Sequence, residues 1–263
     1  MTENSWQDEI DEEDRGLVYD VRTLVDRRAA LGLFGGIAVT TLLAACASPA
    51  SSSTSTSTEV PDETGGPYPA DGSNGVNVLD DSGIVRSDIR SSFGSSTTTA
   101  EGLPLTIQLT VRDAATGNAL KGAAVYLWHC DRDGLYSLYS EGAEHENYLR
   151  GVQQVDESGT VTFTSIFPAA YPGRWPHVHF EVYSDVDTAV ASGPIVKTSQ
   201  IALPKEACDL VYATEGYEQS VRNMGQTSLT SDMVFGDDGG IHQLASMSGS
   251  VTGGYTAALT IGV

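Results

Sequence analysis

Alternating apolar and polar residues mark the start of a folded domain. Leu105, Ile107, Leu109 and Val111 are separated by polar residues, the period of two that is typical of a strand with one buried face. Similar signals predict further strands at 123–128, 161–163, 177–182, 201–203 and 255–263. Only the segment 208–224 favours a helical turn. The pattern therefore predicts a mostly β protein, with a β-sandwich as its architecture.

The N-terminal segment has a different pattern, which is typical of export. Arg27 and Arg28 precede an apolar run at 31–45, which is shorter than the roughly 20 residues of a membrane-spanning helix. The paired arginines resemble a twin-arginine signal, and the run ends at Cys46 in a sequence that resembles a lipobox. We therefore expect a lipidated Cys46 and a location on the outer face of the cytoplasmic membrane or in the cell envelope. A single-pass anchor is the alternative.

Three segments follow from these patterns. Residues 1–45 are interpreted as the export signal, and residues 46–63, rich in Ser and Thr, as a disordered tether. Residues 64–263 remain as the folded domain, which is long enough for one sizeable hydrophobic core and too short for two.

Charge and cysteine content narrow the possible partners and the redox setting. The chain has 35 Asp and Glu against 14 Lys and Arg, a formal net charge of −21, so a nucleic-acid partner is not expected. Cys130 and Cys208 are an even pair downstream of Cys46. In an oxidising compartment this pair favours a disulfide over two free thiols.

The most informative motif is a His-x-His pair. His177 and His179 lie two apart in a predicted strand, so both imidazoles point to the same side and can form half of a metal site. No Asp or Glu lies between Phe163 and Phe180, and the nearby oxygen donor is Tyr171. The other histidines, which are His129, His145 and His242, are expected to be structural or at the surface.

A second tyrosine completes the candidate donor set. Tyr136 follows the strand at 123–128 and a Gly-containing turn, which could bring its phenol back over the sheet. Two phenolates and two imidazoles suit a hard, highly charged ion better than zinc. We therefore expect a non-haem Fe(III) site, in which the ion lowers the tyrosine pKa far below its usual value of about 10.

These segments together resemble the intradiol ring-cleavage dioxygenases, the family of protocatechuate and catechol dioxygenases, and particularly their exported single-chain members. The resemblance covers about residues 64–263. It includes the segments 66–68, 85–89, 128–137 and 171–180.

The resemblance implies a site and a reaction. Its iron ligands are Tyr136, Tyr171, His177 and His179. Arg174 matches an arginine that steadies the anion derived from the substrate, and Gln200 matches a glutamine near the iron. The implied reaction cleaves an aromatic diol with O2 to a muconate-type diacid. The sequence lacks the helical N-terminal segment through which the family dimerises, so this mode of dimerisation is not expected. A homodimer formed in another way stays open.

Two other functions stay open at this stage. The hairpin at 105–128 also resembles transthyretin-like and carboxypeptidase-regulatory-like sandwich modules, which bind partners or form stalks. Alternatively, an exported lipoprotein could use the same four side chains to capture iron or a catecholate compound without turnover. Arg174 favours catalysis over capture.

Overall fold

A computed structural model describes residues 57–263 of the chain. This part contains eight strands and three helices, which are, in chain order, β1 (Pro104–Arg112), β2 (Ala124–Trp128), β3 (Arg150–Gln154), β4 (Thr160–Ile166), β5 (His177–Tyr183), α1 (Val186–Val190), β6 (Ile195–Ala202), α2 (Lys205–Tyr212), α3 (Glu218–Met224), β7 (Ser246–Ser250) and β8 (Gly254–Gly262). The predicted segment 208–224 thus overlaps two short helices. No helix among residues 57–263 is both long and apolar enough to cross a bilayer.

The strands form two four-stranded sheets. The first has the order β4-β1-β8-β7 and the second the order β3-β2-β5-β6. In the first sheet β1 pairs antiparallel with β4 and parallel with β8, whereas the pairs of the second sheet are antiparallel. This arrangement confirms the predicted mostly β fold.

Alternation along the strands separates two apolar layers. Buried residues of one parity pack in the core between the sheets, among them Leu105, Ile107, Val125, Leu127, Val178 and Phe180. Residues of the other parity on β2 belong to a second cluster, together with residues of the segments 70–84 and 130–136. The second sheet is therefore buried on both faces, and its outer face is covered by loops.

Residues 59–70, which we call the strap, lie against both sheets. The Val60 amide donates to the Gly262 carbonyl at 3.0 Å, and the Glu63 amide donates to the Thr198 carbonyl at 2.8 Å. Residues 59–63, which were predicted to belong to the tether, therefore pack on the domain. The export signal, the lipobox and Cys46 lie outside the described residues.

The expected disulfide is wrong. Cys130 and Cys208 are both buried free thiols, and burial raises the pKa of each. The Cys130 Sγ lies 3.7 Å from the Ala169 carbonyl oxygen, and the Cys208 Sγ lies 3.9 Å from the Leu203 carbonyl oxygen. Each thiol thus points to a separate backbone carbonyl. The number of cysteines in a sequence does not indicate where their side chains point.

Candidate metal centre

The two histidines of the predicted motif begin strand β5 and face the same side. His177 and His179 are 2 % and 3 % exposed, and their Nε2 atoms lie 3.0 Å apart. The His177 Nδ1 lies 2.6 Å from the Trp175 carbonyl oxygen. Since a carbonyl oxygen only accepts, the His177 Nδ1 carries the hydrogen, and its Nε2 keeps the lone pair that a metal ion would use.

Tyr171 reaches the histidines from a tight turn. The sequence Tyr171-Pro172-Gly173-Arg174 has proline second and glycine third, and Gly173 has φ 79°, the pattern of a type II turn. The turn folds the chain back just before β5 begins. As a result the Tyr171 Oη lies 3.1 Å from the His177 Nε2.

Tyr136 enters from the loop after β2. The Asp131 Oδ1 accepts the Leu135 amide at 2.9 Å, and Gly134 has φ 89°, a left-handed conformation that glycine adopts without strain. A Cβ at Gly134 would lie 3.4 Å from the Tyr171 Cβ, so the two loops approach closely here. The Tyr136 phenol is buried, and its Oη lies 3.4 Å from the Tyr171 Oη.

Two phenol oxygens and two imidazole nitrogens therefore converge, with neighbouring donor atoms 3.0–3.4 Å apart. For metal bonds of about 2.1 Å, as in zinc sites, donors at right angles are about 3.0 Å apart, so this set can surround one ion. Among the described residues no three His, Cys, Asp or Glu side chains cluster as a metal site. A centre here depends on the tyrosines.

Burial sets the ionisation of these donors. Burial is the main cause, and the charge of Arg174 the second, that lowers the pKa of His177 to about 3. Burial and then the neighbouring His177 lower the pKa of His179 well below its ordinary value. Both imidazoles are therefore neutral at neutral pH. Burial also raises the pKa of Tyr136 well above 10, so a multivalent cation is needed to favour its phenolate.

Arg174 and Gln200 lie together beside the histidines. Gln200 is in register with His179 across β5 and β6. Its Oε1 accepts the Arg174 Nη2 at 2.7 Å, and its Nε2 donates to the Thr64 carbonyl of the strap at 2.9 Å. The structure thus brings the two remaining predicted site residues to the same place.

Asp232 was missed by the sequence analysis. Its Oδ2 accepts the Arg174 Nε at 3.0 Å and the Trp175 amide at 2.7 Å, and its Oδ1 accepts the amides of Val234 and Phe235 at 2.8 and 3.1 Å. Burial alone would raise the pKa of this carboxyl, but Arg174 and the Trp175 amide hold it below its ordinary value. No local motif signals a partner 58 residues from Arg174.

Aromatic rings enclose the donors. The Tyr68 ring of the strap lies 4.9 Å from the Tyr136 ring and 5.1 Å from the Tyr139 ring. The Trp128 ring stacks on His179 at 5.0 Å and an interplanar angle of 6°. These contacts fix the ring planes of both Tyr136 and His179.

The other three histidines lie outside this centre. His129 is buried, with its Nδ1 2.7 Å from the Cys130 carbonyl oxygen and its Nε2 2.6 Å from the Ser165 Oγ. His145 and His242 are exposed. These positions agree with the structural and surface roles expected from the sequence.

Comparison with known proteins identifies relatives. A family model described as Dioxygenase matches residues 90–189, a range that includes Tyr136, Tyr171, Arg174 and both histidines of the centre. A chlorocatechol 1,2-dioxygenase of Rhodococcus opacus is 38 % identical over 61 residues, which are 23 % of this chain and 23 % of that protein. The matched region is thus about a quarter of the relative's length.

Solved structures share the fold over a larger part of the chain. An intradiol ring-cleavage dioxygenase from Tetranychus urticae superposes with a TM-score of 0.56 and 26 % identity, covering 69 % of this chain and 87 % of the other. The dioxygenase domain of a carbohydrate-binding fusion protein from Streptomyces sp. SirexAA-E superposes with a TM-score of 0.50 and 21 % identity, over 78 % and 97 % of the two chains; at this identity it supports the fold alone. In sequence over residues 90–189 and in fold over most of its described length, the chain is thus similar to the intradiol ring-cleavage dioxygenases.

Proposed function

We propose that the protein is a non-haem Fe(III) dioxygenase that cleaves a catechol-type ring with O2, between the two hydroxylated carbons, to a muconate-type diacid. One observation carries this proposal. The phenol oxygens of Tyr136 and Tyr171 and the Nε2 atoms of His177 and His179 converge, and neighbouring donor atoms lie at most 3.4 Å apart. The similarity to intradiol ring-cleavage dioxygenases supports the same reaction class.

The donor set fits ferric iron. Tyr136, Tyr171, His177 and His179 would hold the ion through two anionic oxygens and two neutral nitrogens, a combination that balances much of a triple positive charge. Bound there, Fe(III) would act as a Lewis acid and a template that makes the diol reactive towards O2.

Tyr171 is the best candidate for proton uptake. It is half-buried, whereas Tyr136 is 2 % exposed, so its phenol is the more accessible of the two. Its Oη would receive a proton from one hydroxyl of the arriving diol. Tyr136, packed against Tyr68 and Tyr171, would keep its position throughout.

Arg174 and its neighbours would stabilise negative charge on the substrate. The guanidinium is 3 % exposed and is held by Asp232 and Gln200, so it is oriented before the substrate arrives. A charge-assisted hydrogen bond from an N–H group of Arg174 stabilises an oxyanion more in the transition state than in the ground state. Gln200 would act through Arg174 by fixing its plane.

The proposal is tested by the visible spectrum of the protein loaded with Fe(III), first alone, then with catechol without oxygen, and then with oxygen. We expect a phenolate-to-iron absorption band that shifts when catechol binds and bleaches to a muconate-like product on oxygenation. Tyr136→Phe and Tyr171→Phe should each change the band. Tyr255→Phe is the matched control, because Tyr255 packs near Phe167 in the first sheet.

The outcomes distinguish the competing functions. A protein that remains colourless after iron loading would rule out the ferric centre and return attention to a sandwich binding module. A coloured catechol complex that survives oxygen would instead identify a protein that captures iron or catecholates without turnover.

We also propose that the protein is exported and anchored through a lipidated Cys46, with residues 1–45 as the signal. Support comes from the sequence of residues 27–46 alone, which lies outside the described part of the chain. Incorporation of a labelled fatty acid into the expressed protein, and its loss in Cys46→Ser, would test the anchor.

A further inference from the structure

Arg150 is a buried cation behind the candidate centre. It begins β3, is in register with Trp128 of β2 and is 1 % exposed. A guanidinium is stable in such a place only when its N–H groups have acceptors. Arg150 donates four hydrogen bonds, and every acceptor is a neutral oxygen. Its interactions are therefore directional rather than a simple ion pair.

Two of these hydrogen bonds fix the segment that carries Tyr136. The Arg150 Nε donates to the Ser137 Oγ at 3.0 Å, and its Nη2 donates to the Ser137 carbonyl at 2.9 Å. The Ser137 Oγ in turn donates to the Tyr148 carbonyl at 2.7 Å. The residue next to Tyr136 is thus held at both its side chain and its backbone.

A third hydrogen bond fixes the strap. The Arg150 Nη1 donates to the Pro69 carbonyl at 3.1 Å, and the adjacent residue Tyr68 packs on the Tyr136 ring at 4.9 Å. The guanidinium also lies 5.5 Å from the centre of the Tyr139 ring, within the range of a cation–π contact. Arg150 therefore constrains both sides of the Tyr136 phenol.

The fourth hydrogen bond connects Arg150 to the histidine side of the centre. Its Nη1 lies 3.1 Å from the Tyr126 Oη. The Tyr126 ring stacks on Trp128 at 4.8 Å, and Trp128 stacks on His179 at 5.0 Å. One side chain thus touches the supports of two of the four candidate ligands.

A second arginine holds Arg150 itself. The Arg86 Nε and Nη2 donate to the Arg150 carbonyl at 2.9 and 2.7 Å. This approach needs the glycine at position 151, because a Cβ there would lie 3.2 Å from the Arg86 carbonyl oxygen and 2.5 Å from an Ile89 methyl group. These contacts therefore fix the backbone from which the Arg150 side chain extends.

We propose that Arg150 is a positioning residue that clamps the Tyr136 segment and the strap together and so sets the orientation of the Tyr136 phenol. The proposed effect on a metal rests on the function proposed above, but the clamp can be measured without a metal. Lysine cannot replace Arg150, because a single ammonium group cannot reach acceptors that a planar fork bonds along three of its nitrogens.

Amide hydrogen exchange of the metal-free protein tests the clamp. The Leu138 amide donates to the Ala143 carbonyl, and the Ala70 amide donates to the Tyr139 Oη, so they report on the two segments. In Arg150→Lys we expect exchange at both amides to rise roughly tenfold or more. Unchanged exchange, or an equal rise in every strand, would overturn the proposal.

Arg112→Lys is the matched control. Arg112 is half-buried in the first sheet, and its Nη1 donates to the Gly117 carbonyl at 3.1 Å. The same substitution there should leave exchange at Leu138 and Ala70 as in the wild type.

The visible band of the iron-loaded protein tests the orientation of Tyr136. We expect a shifted band maximum in Arg150→Lys and an unshifted one in Arg112→Lys. A band at the wild-type position, despite faster exchange, would refute the effect on Tyr136. A wild type with no band would refute the proposed function instead, and the exchange data would still decide on the clamp.

If Arg150→Lys does not fold, variants that remove the hydrogen bonds on one side of Arg150 test the clamp. Ser137→Ala should speed exchange at Leu138 and spare Val78, whose amide donates to the Ala70 carbonyl of the strap. Tyr126→Phe, which removes the 2.7 Å hydrogen bond from Tyr126 to the Pro69 carbonyl, should have the opposite pattern. Identical effects of both variants would overturn the clamp.

Discussion

Asp232→Asn isolates the support of Arg174. Four groups donate to this carboxylate: the Arg174 Nε, the Trp175 amide and the amides of Val234 and Phe235. Asparagine keeps the shape but offers one acceptor oxygen and one NH2 group. Two of the four donors therefore lose their acceptor, and the buried guanidinium loses its counter-charge.

The magnitude follows from burial. The side chains of Arg174 and Asp232 are 3 % and 0 % exposed, so solvent cannot replace the lost partner. Breaking a buried pair from one side costs about 3–5 kcal/mol. For a domain of about 200 residues, each kcal/mol lowers Tm by about 2–4 °C, so the expected decrease is about 6–20 °C.

The assay is thermal and urea denaturation of both proteins without metal, with Asp209→Asn as the control. Asp209 pairs with Lys205 at 2.7 Å, but both side chains are more than half exposed, so the free energy of unfolding should change by less than about 0.5 kcal/mol. The iron-loaded Asp232→Asn protein should also turn over catechol more slowly, because Arg174 is no longer held in place.

Equal stability losses in Asp232→Asn and Asp209→Asn would refute this reasoning. A double-mutant cycle that combines Asp232→Asn with Arg174→Met should give a coupling energy of about 1 kcal/mol or more. Additive effects would mean that the Arg174–Asp232 contact contributes little in solution.

Three further predictions concern acid stability, thiols and the Tyr136 turn. Burial raises the pKa of the Glu146 carboxyl, but hydrogen bonds from hydroxyl groups outweigh burial and hold this pKa below 4.5. The ionised carboxylate therefore stabilises the fold above pH 4.5, and this stabilisation is lost as pH falls through the folded-state pKa. Urea denaturation of Glu146→Gln and of the wild type should give the same free energy of unfolding in acid. Cys130 and Cys208 are free, so in a variant lacking residues 1–56 a thiol reagent should label neither when native and both after unfolding. Gly134→Ala places a side chain at φ 89° and 3.4 Å from the Tyr171 Cβ, which should cost about 1–2 kcal/mol in denaturation and alter the iron band.

The sequence predicted those parts of the fold whose signal is local. Strands β1, β2, β4, β5 and β8 alternate or are rich in β-branched and aromatic residues, and the structure confirms them. Strand β3 was missed because Arg150 and Gly151 break the apolar pattern, although the arginine is buried. Strand β7, with the sequence SMSGS, was missed because it is a mostly exposed edge with no apolar face.

The candidate site divides in the same way. His177, His179, Tyr171 and Arg174 lie within nine consecutive residues and could be identified from one motif. Asp232 is distant in sequence and sits in a Ser- and Asp-rich stretch that resembles a surface turn. A partner of this kind becomes visible only when the fold brings its oxygens to a buried cation, and the wrong disulfide failed for the same reason.

The position of β8 has a consequence for biosynthesis. This last strand lies between β1 and β7, and its Gly262 carbonyl receives the amide of Val60 at the start of the strap. At 5–20 residues per second, the roughly 60 residues from Gln200 to Gly262 take about 3–12 s to synthesise. During that interval the nascent chain already contains both histidines, while residues 59–60 at the start of the strap have no strand β8 to pair with. Any chaperone contact or metal loading in this interval would involve a domain whose first sheet still lacks β7 and β8.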